Sequence, residues 1–122
     1  MDVETNKELI AEYPWLKIDD DYECTLLDLC PQGWHNLVLD LCDELKHKLI
    51  QHGIFDKYRV AEAKEKYYML RWYDYLEDAE SMPEDIIKLV RSFEEKSSHI
   101  CMICGRTKLP NQAICNLCYN TL

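Results

Sequence analysis

Four cysteines near the end of the chain, Cys101, Cys104, Cys115 and Cys118, form two Cys-x-x-Cys pairs with ten residues between them. Two intervening residues let a tight loop turn both sulfurs toward one ion, and two such loops complete a tetrahedron with metal–sulfur bonds of about 2.3 Å. The spacing predicts a structural tetrathiolate site, with one Zn²⁺ per chain as the expected cofactor. Iron in a rubredoxin-like site is the other metal such ligands accept. Four thiolates fill the coordination sphere and leave no position for water or substrate, which argues for a structural ion. A dithiol redox role accounts for one pair but not for two. Gly105 directly follows the first pair, where a positive φ or the lack of a side chain lets the loop close around the sulfurs. His99 stands two residues before Cys101 and is expected in solvent or beside the site rather than in it.

The tail needs such an ion. Over residues 97–122 the large aliphatic side chains are Ile100, Ile103, Leu109, Ile114, Leu117 and Leu122, too few for an independent core. Metal ligation supplies on the order of 10 kcal/mol in small zinc modules. The remaining cysteines, Cys24, Cys30 and Cys42, have no ligand-pair spacing and are expected as buried free thiols. An odd cysteine count, the two Cys-x-x-Cys pairs and the lack of a secretory signal make a reducing, cytoplasmic compartment the expectation. No stretch approaches the roughly 18 apolar residues of a membrane span.

Other chemistry is sparse. Arg71, between Leu70 and Trp72, is a candidate for carboxylate or phosphate recognition, with pairing to Glu62 or Glu65 as the structural expectation. Arg106 and Lys108 form a small basic face on the loop between the cysteine pairs. Asp78 and Glu80 lie in an acidic stretch, residues 74–85, that has no basic residue and offers a binding surface. No carboxylate pair converges on a nucleophile, and there is no phosphate-binding glycine loop or paired-histidine motif, so an enzyme is not expected.

The formal charge is −9. Residues 1–30 hold nine carboxylates against Lys7 and Lys17, while residues 96–122 hold Lys96, Arg106 and Lys108 and no acidic side chain. Such a chain is repelled by a phosphate backbone unless its cations gather on one face. The expected partner is a host or cellular protein with a basic surface. Nucleic acid comes second, and no membrane is expected.

The elements that position these residues are unevenly legible. Trp34, Leu37, Val38, Leu41, Leu45 and Leu49 recur at three and four, which predicts a helix over roughly 34–52 ended by Gly53. Ile86, Ile87, Val90 and Phe93 predict a helix over about 82–96, with Ser81 and Glu84 as a capping box and Pro83 in the first turn. Residues 57–76 fit a helix or a hairpin: aromatic density favours strands, while residues 61–66 have high helix propensity. Residues 1–30 read as an irregular acidic arm, with Trp15 and the leucines laid on the main body.

Three features together resemble a family of small bacterial and phage-associated proteins. They are Gly33-Trp34 opening a helix that contains Leu41-Cys42, the block Lys64-Glu65-Lys66-Tyr67 followed by Leu70-Arg71-Trp72-Tyr73, and a double Cys-x-x-Cys knuckle after Ser97-Ser98. The resemblance covers about residues 31–118 and implies a β-hairpin for the middle block. The family has a glycine in the turn where this chain has Tyr68. The fold class is then α+β: two main helices and a β-hairpin with a C-terminal zinc-ribbon-like module. The expected organisation is an acidic arm (1–30), a helix–hairpin–helix body (31–96) and a four-cysteine zinc module (97–122). The family carries no assigned activity. Its phage association implies an inhibitor of a host nucleic-acid-processing or defence complex, acting by protein–protein binding. A zinc-ribbon nucleic-acid adaptor is the alternative.

Overall fold

A computed structural model describes residues 2–122, and it opens with α1 (Val3–Glu12). This helix corrects the irregular arm expected at the N-terminus. Asp2 caps it by accepting the Thr5 N–H at 2.8 Å. Asn6, fully buried, holds α1 to the next loop by donating to the Tyr22 and Glu23 carbonyls at 2.8 and 3.1 Å. Two short 3-10 turns follow, Pro14–Leu16 and Leu26–Leu29, and they deliver Trp15, Leu16, Leu26 and Leu27 into the core. Trp15, Leu16, Leu26 and Leu27 are therefore where the sequence places them, but on ordered turns, whereas Leu29 is exposed.

A third turn, Gln32–Trp34, leads into α2 (His35–Gln51). Its buried residues, Leu37, Val38, Leu41, Cys42, Leu45 and Leu49, follow the predicted period. Gly53, at φ +70°, ends it as expected.

Residues 57–76 resolve as strands: β1 (Tyr58–Lys66) and β2 (Met69–Leu76) pair antiparallel in a two-stranded sheet. Tyr58, Ala63, Leu70, Trp72 and Leu76 are buried, and a register shift between Val60 and Glu62 marks a bulge at Ala61. The bulge breaks the alternation of β1, which is why its period is ambiguous in the sequence. The turn is Tyr67-Tyr68, with φ of 54° and 66°. Two left-handed residues suit a tight hairpin, but Asn-Gly is the usual pair and bulky side chains there are strained. The Glu65 carboxylate helps hold the turn by accepting the Tyr68 N–H at 2.7 Å. Replacing Tyr68 by glycine is expected to relieve the strain and stabilise the fold by about 1 kcal/mol, a rise of about 4 °C in Tm measurable by calorimetry.

α3 (Glu84–Ser97) buries Ile86, Leu89, Val90, Phe93 and Ser97 and packs against both α2 and β2. The Ser81–Glu84 capping box does not form. Pro83 occupies the cap position, and its carbonyl accepts the Ile86 and Ile87 N–H groups at 3.1 Å, so the helix begins beyond the reach of Ser81. α3 also covers the outer edge of β2. Leu70 N–H donates to Ser97 Oγ at 2.7 Å, and Trp72 N–H donates to Glu94 Oε2 at 2.9 Å. Side chains thus satisfy the edge N–H groups that a third strand would have paired.

Inside, Trp72 Nε1–H donates to the Tyr58 hydroxyl at 2.8 Å, and that hydroxyl donates to Asp74 at 2.7 Å. Burial pushes the Tyr58 hydroxyl well above its ordinary range, reinforced by Asp74. Trp15 meets the Tyr58 ring edge-on at 5.3 Å, which joins the N-terminal segment to the sheet. The last helix is the short α4 (Asn116–Asn120). The whole is a small α+β body with the cysteine cluster at its C-terminal end. Among the described residues no helix is long and apolar enough to cross a membrane.

Candidate metal centre

Two short loops bring the four cysteines together. In the first, Cys101 N–H donates to the Arg106 carbonyl at 2.6 Å, and Gly105 N–H donates back to the Cys101 carbonyl at 3.0 Å. Gly105 makes this reversal at φ +80°, a conformation glycine adopts without steric clash. The Arg106 N–H then points at Cys104 Sγ, 3.4 Å away. In the second loop Cys115 caps α4, and Tyr119 N–H donates to its carbonyl at 3.0 Å. Met102 N–H donates to the Ala113 carbonyl at 3.2 Å and holds the two loops face to face.

All four sulfurs lie within 4.8 Å of one another. Cys101 and Cys118 are 3.8 Å apart and Cys104 and Cys115 are 3.6 Å apart. A regular tetrahedron with bonds of about 2.3 Å has sulfur–sulfur edges of about 3.8 Å, so one ion fits among them. Three of the four are buried, and Cys104 faces solvent. Burial resists ionisation of Cys101, but the backbone N–H groups of Cys104, Cys115 and Ile103 outweigh it and bring that thiol down to about 6. The neighbouring Cys104 thiol, and then burial, push Cys118 up to about 12. Thiols crowded this closely hold protons between them that a cation would displace.

The module is seated on the body through Gly33. Its N–H donates to the Met102 carbonyl at 2.9 Å, and the next residue, Trp34, donates its indole N–H to the Ile100 carbonyl at 3.0 Å. Gly33 and Gly105 face each other closely: a Cβ on Gly105 would meet the Gly33 carbonyl oxygen at 3.0 Å.

Lys108 corrects the exposed basic face expected between the cysteine pairs. It is buried, and its ammonium donates to the Ser98 carbonyl and, at 3.4 Å each, to the Tyr68 and Leu109 carbonyls. It therefore ties the end of α3, the hairpin tip and the metal module together. Burial lowers its pKa, and the negative charge of Cys101 opposes that shift. Lys108→Met keeps the stem but strands the Ser98 and Tyr68 carbonyls, and is expected to lower stability by about 2 kcal/mol with the metal content unchanged. Denaturant melts and metal analysis of the same samples check both halves.

The other candidates do not gather here. Arg106 is exposed at the first loop. Arg71 lies opposite Lys64 in the sheet, and its expected partners are taken: Glu62 pairs with Lys64 at 3.1 Å, and Glu65 holds the Tyr68 N–H. Asp78 and Glu80 sit at the base of the hairpin, away from the metal module, and line a shallow cavity with Asp74 and Glu77. Glu80 pairs with Lys57 at 2.6 Å. Cys30 and Cys42 are buried as expected, Cys42 accepting the Trp15 indole N–H at 3.3 Å, but Cys24 is exposed. His99 is exposed, outside the cluster. Sequence reasoning misses the anchoring roles of Lys108, Ser97 and Glu94, whose partners lie far along the chain. Comparisons with protein-family models, with curated proteins and with solved structures find no match.

Proposed function

We propose that the protein is a non-enzymatic, zinc-containing binding protein that acts through a protein partner, and that the outward face of the hairpin is the surface it offers. The observation that carries this reading is a row of exposed tyrosines: Tyr67, Tyr73 and Tyr75 are 81%, 44% and 50% exposed. Across the strands Arg59 lies opposite Tyr75, Glu62 opposite Tyr73 and Lys64 opposite Arg71. Tyrosine and arginine dominate the energetic centres of protein interfaces, because they bury much area for little lost rotamer freedom. Edge capping by α3 and the Lys108 anchor at the tip keep this surface rigid, so little ordering entropy opposes binding.

Exposed acids flank the base of the same hairpin at Glu77, Asp78 and Glu80. They suit a host or cellular protein with a basic surface and a salt-sensitive encounter. With the resemblance to phage-associated proteins, the reading extends to an inhibitor of a host nucleic-acid-processing or defence complex. The ion we propose is zinc, one per chain, which native mass measurement identifies directly. Capture from host lysate at low and high salt tests the rest. A saturable partner held by the wild type and lost on combining Tyr73→Ser with Tyr75→Ser supports it. A partner retained by that variant, or none at either salt, argues against it.

A nucleic-acid adaptor is the second reading, favoured by Lys64, Lys66 and Arg71 on the tyrosine-bearing hairpin and by exposed Arg106. Titration with short DNA and RNA at about 50 mM salt tests it, since cation–phosphate binding is strongest there. Flat curves for both nucleic acids remove it.

A further inference from the structure

Between the hairpin tip and the metal module lies a cavity of about 350 Å³, lined by Tyr68, Asn111, Gln112, Ile114, Asn116 and Tyr119. Its volume lies in the range of small-molecule sites. The walls combine two aromatic residues with three primary amides. A planar heterocycle with alternating donors and acceptors on its edge matches that set, because aromatic rings stack on its face and an amide both donates and accepts along its edge.

Two further observations point the same way. Tyr68 takes up its place at φ 66°, where glycine is the ordinary residue. Backbone outliers of this kind cluster at functional sites, and of the two in this turn, Tyr67 and Tyr68, it is Tyr68 that lines the cavity. The wall is also preformed: Lys108 holds the Tyr68 carbonyl, Gln112 N–H donates to the Leu109 carbonyl at 3.1 Å, and Met102 N–H holds Ala113. No carboxylate side chain lines the cavity. Residues 97–122 as a whole contain no Asp or Glu, in a chain of charge −9. A phosphate carried by the ligand therefore meets no acidic wall.

We infer that this cavity binds a nucleobase, stacked on its tyrosines and read along its edge by the Asn and Gln amides. The base is presented either by a free nucleotide or by an unpaired position in a single strand. The site is separate from the outward hairpin face and stands independently of the partner proposed for it.

The test is a fluorescence or NMR titration of the metal-loaded full chain with the four 5′-mononucleotides, a ten-residue mixed single strand and ribose 5-phosphate. Saturable binding of at least one nucleotide or of the strand, with Kd below about 1 mM, is expected. Tyr119→Ala is expected to weaken it by about tenfold or more, the usual cost of a lost stacking platform, with metal content and Tm unchanged. Asn116→Ala serves as a second variant should Tyr119→Ala alter the fold. A strand that binds much more tightly than any mononucleotide identifies the strand as the source, and equal affinities identify the free nucleotide. Absence of saturation with every base-containing ligand overturns the assignment. So does ribose 5-phosphate binding as well as the nucleotides, or the folded variants binding like the wild type.

Discussion

Cys101→Ser is expected to unfold residues 98–122 while leaving the hairpin core and α2 intact. The buried apolar residues of the tail, Cys101, Cys115 and Cys118, form a cluster of their own with only Ile114 packed against it, while the partly buried Ile100 and Met102 rest on the main core. Ile103, Leu109, Leu117 and Leu122 are all exposed. Their burial contributes nothing that could replace the ion, whose ligation is worth on the order of 10 kcal/mol in modules of this size. The main core, from Ile10 to Phe93, is a separate cluster that does not include the ligands. Amide hydrogen exchange distinguishes the two parts. Protection is expected to vanish across the tail and to persist in α2, with partial loss at Tyr68, whose carbonyl is held by Lys108. Chelation of the wild type is expected to give the same pattern. Tail amides that stay protected after complete removal of metal would show that the sulfurs need no ion to stay together.

The parts legible in the sequence are those whose signal is local. The cysteine pairs carry their chemistry in their spacing, and the sulfurs lie close enough to share an ion. α2 carries its buried face in a period of three and four. α1 has no such stripe, because only Asn6 and Ile10 are buried in it. It is held by the Asp2 cap and by an amide that reaches carbonyls 16 and 17 residues away. The hairpin is hidden by its turn, since two left-handed tyrosines give no Gly or Pro signal. Lys108 is misread for a general reason: a charged side chain is assigned to solvent unless its partners are known. Two of its carbonyl partners come from other segments, Tyr68 at the hairpin tip and Ser98 at the end of α3, beside that of its neighbour Leu109. No pattern around residue 108 announces them.

Gly33→Ala tests the seating of the metal module on the body, and is expected to cost about 3–5 kcal/mol, with a fall in Tm of more than about 10 °C. A Cβ at this position would lie 2.0 Å from the Cys101 carbonyl oxygen, 2.7 Å from the Met102 carbonyl carbon and 2.9 Å from the Gly105 nitrogen. All three are backbone atoms, so no rotamer change relieves the contact. Either the Gln32–Trp34 turn or the first cysteine loop must move away. That movement breaks the Gly33–Met102 hydrogen bond and the Trp34–Ile100 hydrogen bond, and it opens the packing around the fully buried Trp34. The four ligands are untouched, so one metal per chain is expected to remain bound. The loss then appears as a melting defect in a metal-loaded protein, unlike the effect of losing a cysteine. Gly53→Ala is the control: Gly53 sits at φ +70° with no atom within 4 Å of an added Cβ. Only conformational strain opposes alanine there, at about 1 kcal/mol. A Gly33→Ala protein that melts no lower than Gly53→Ala would mean that the cysteine loop does not rest against the start of α2.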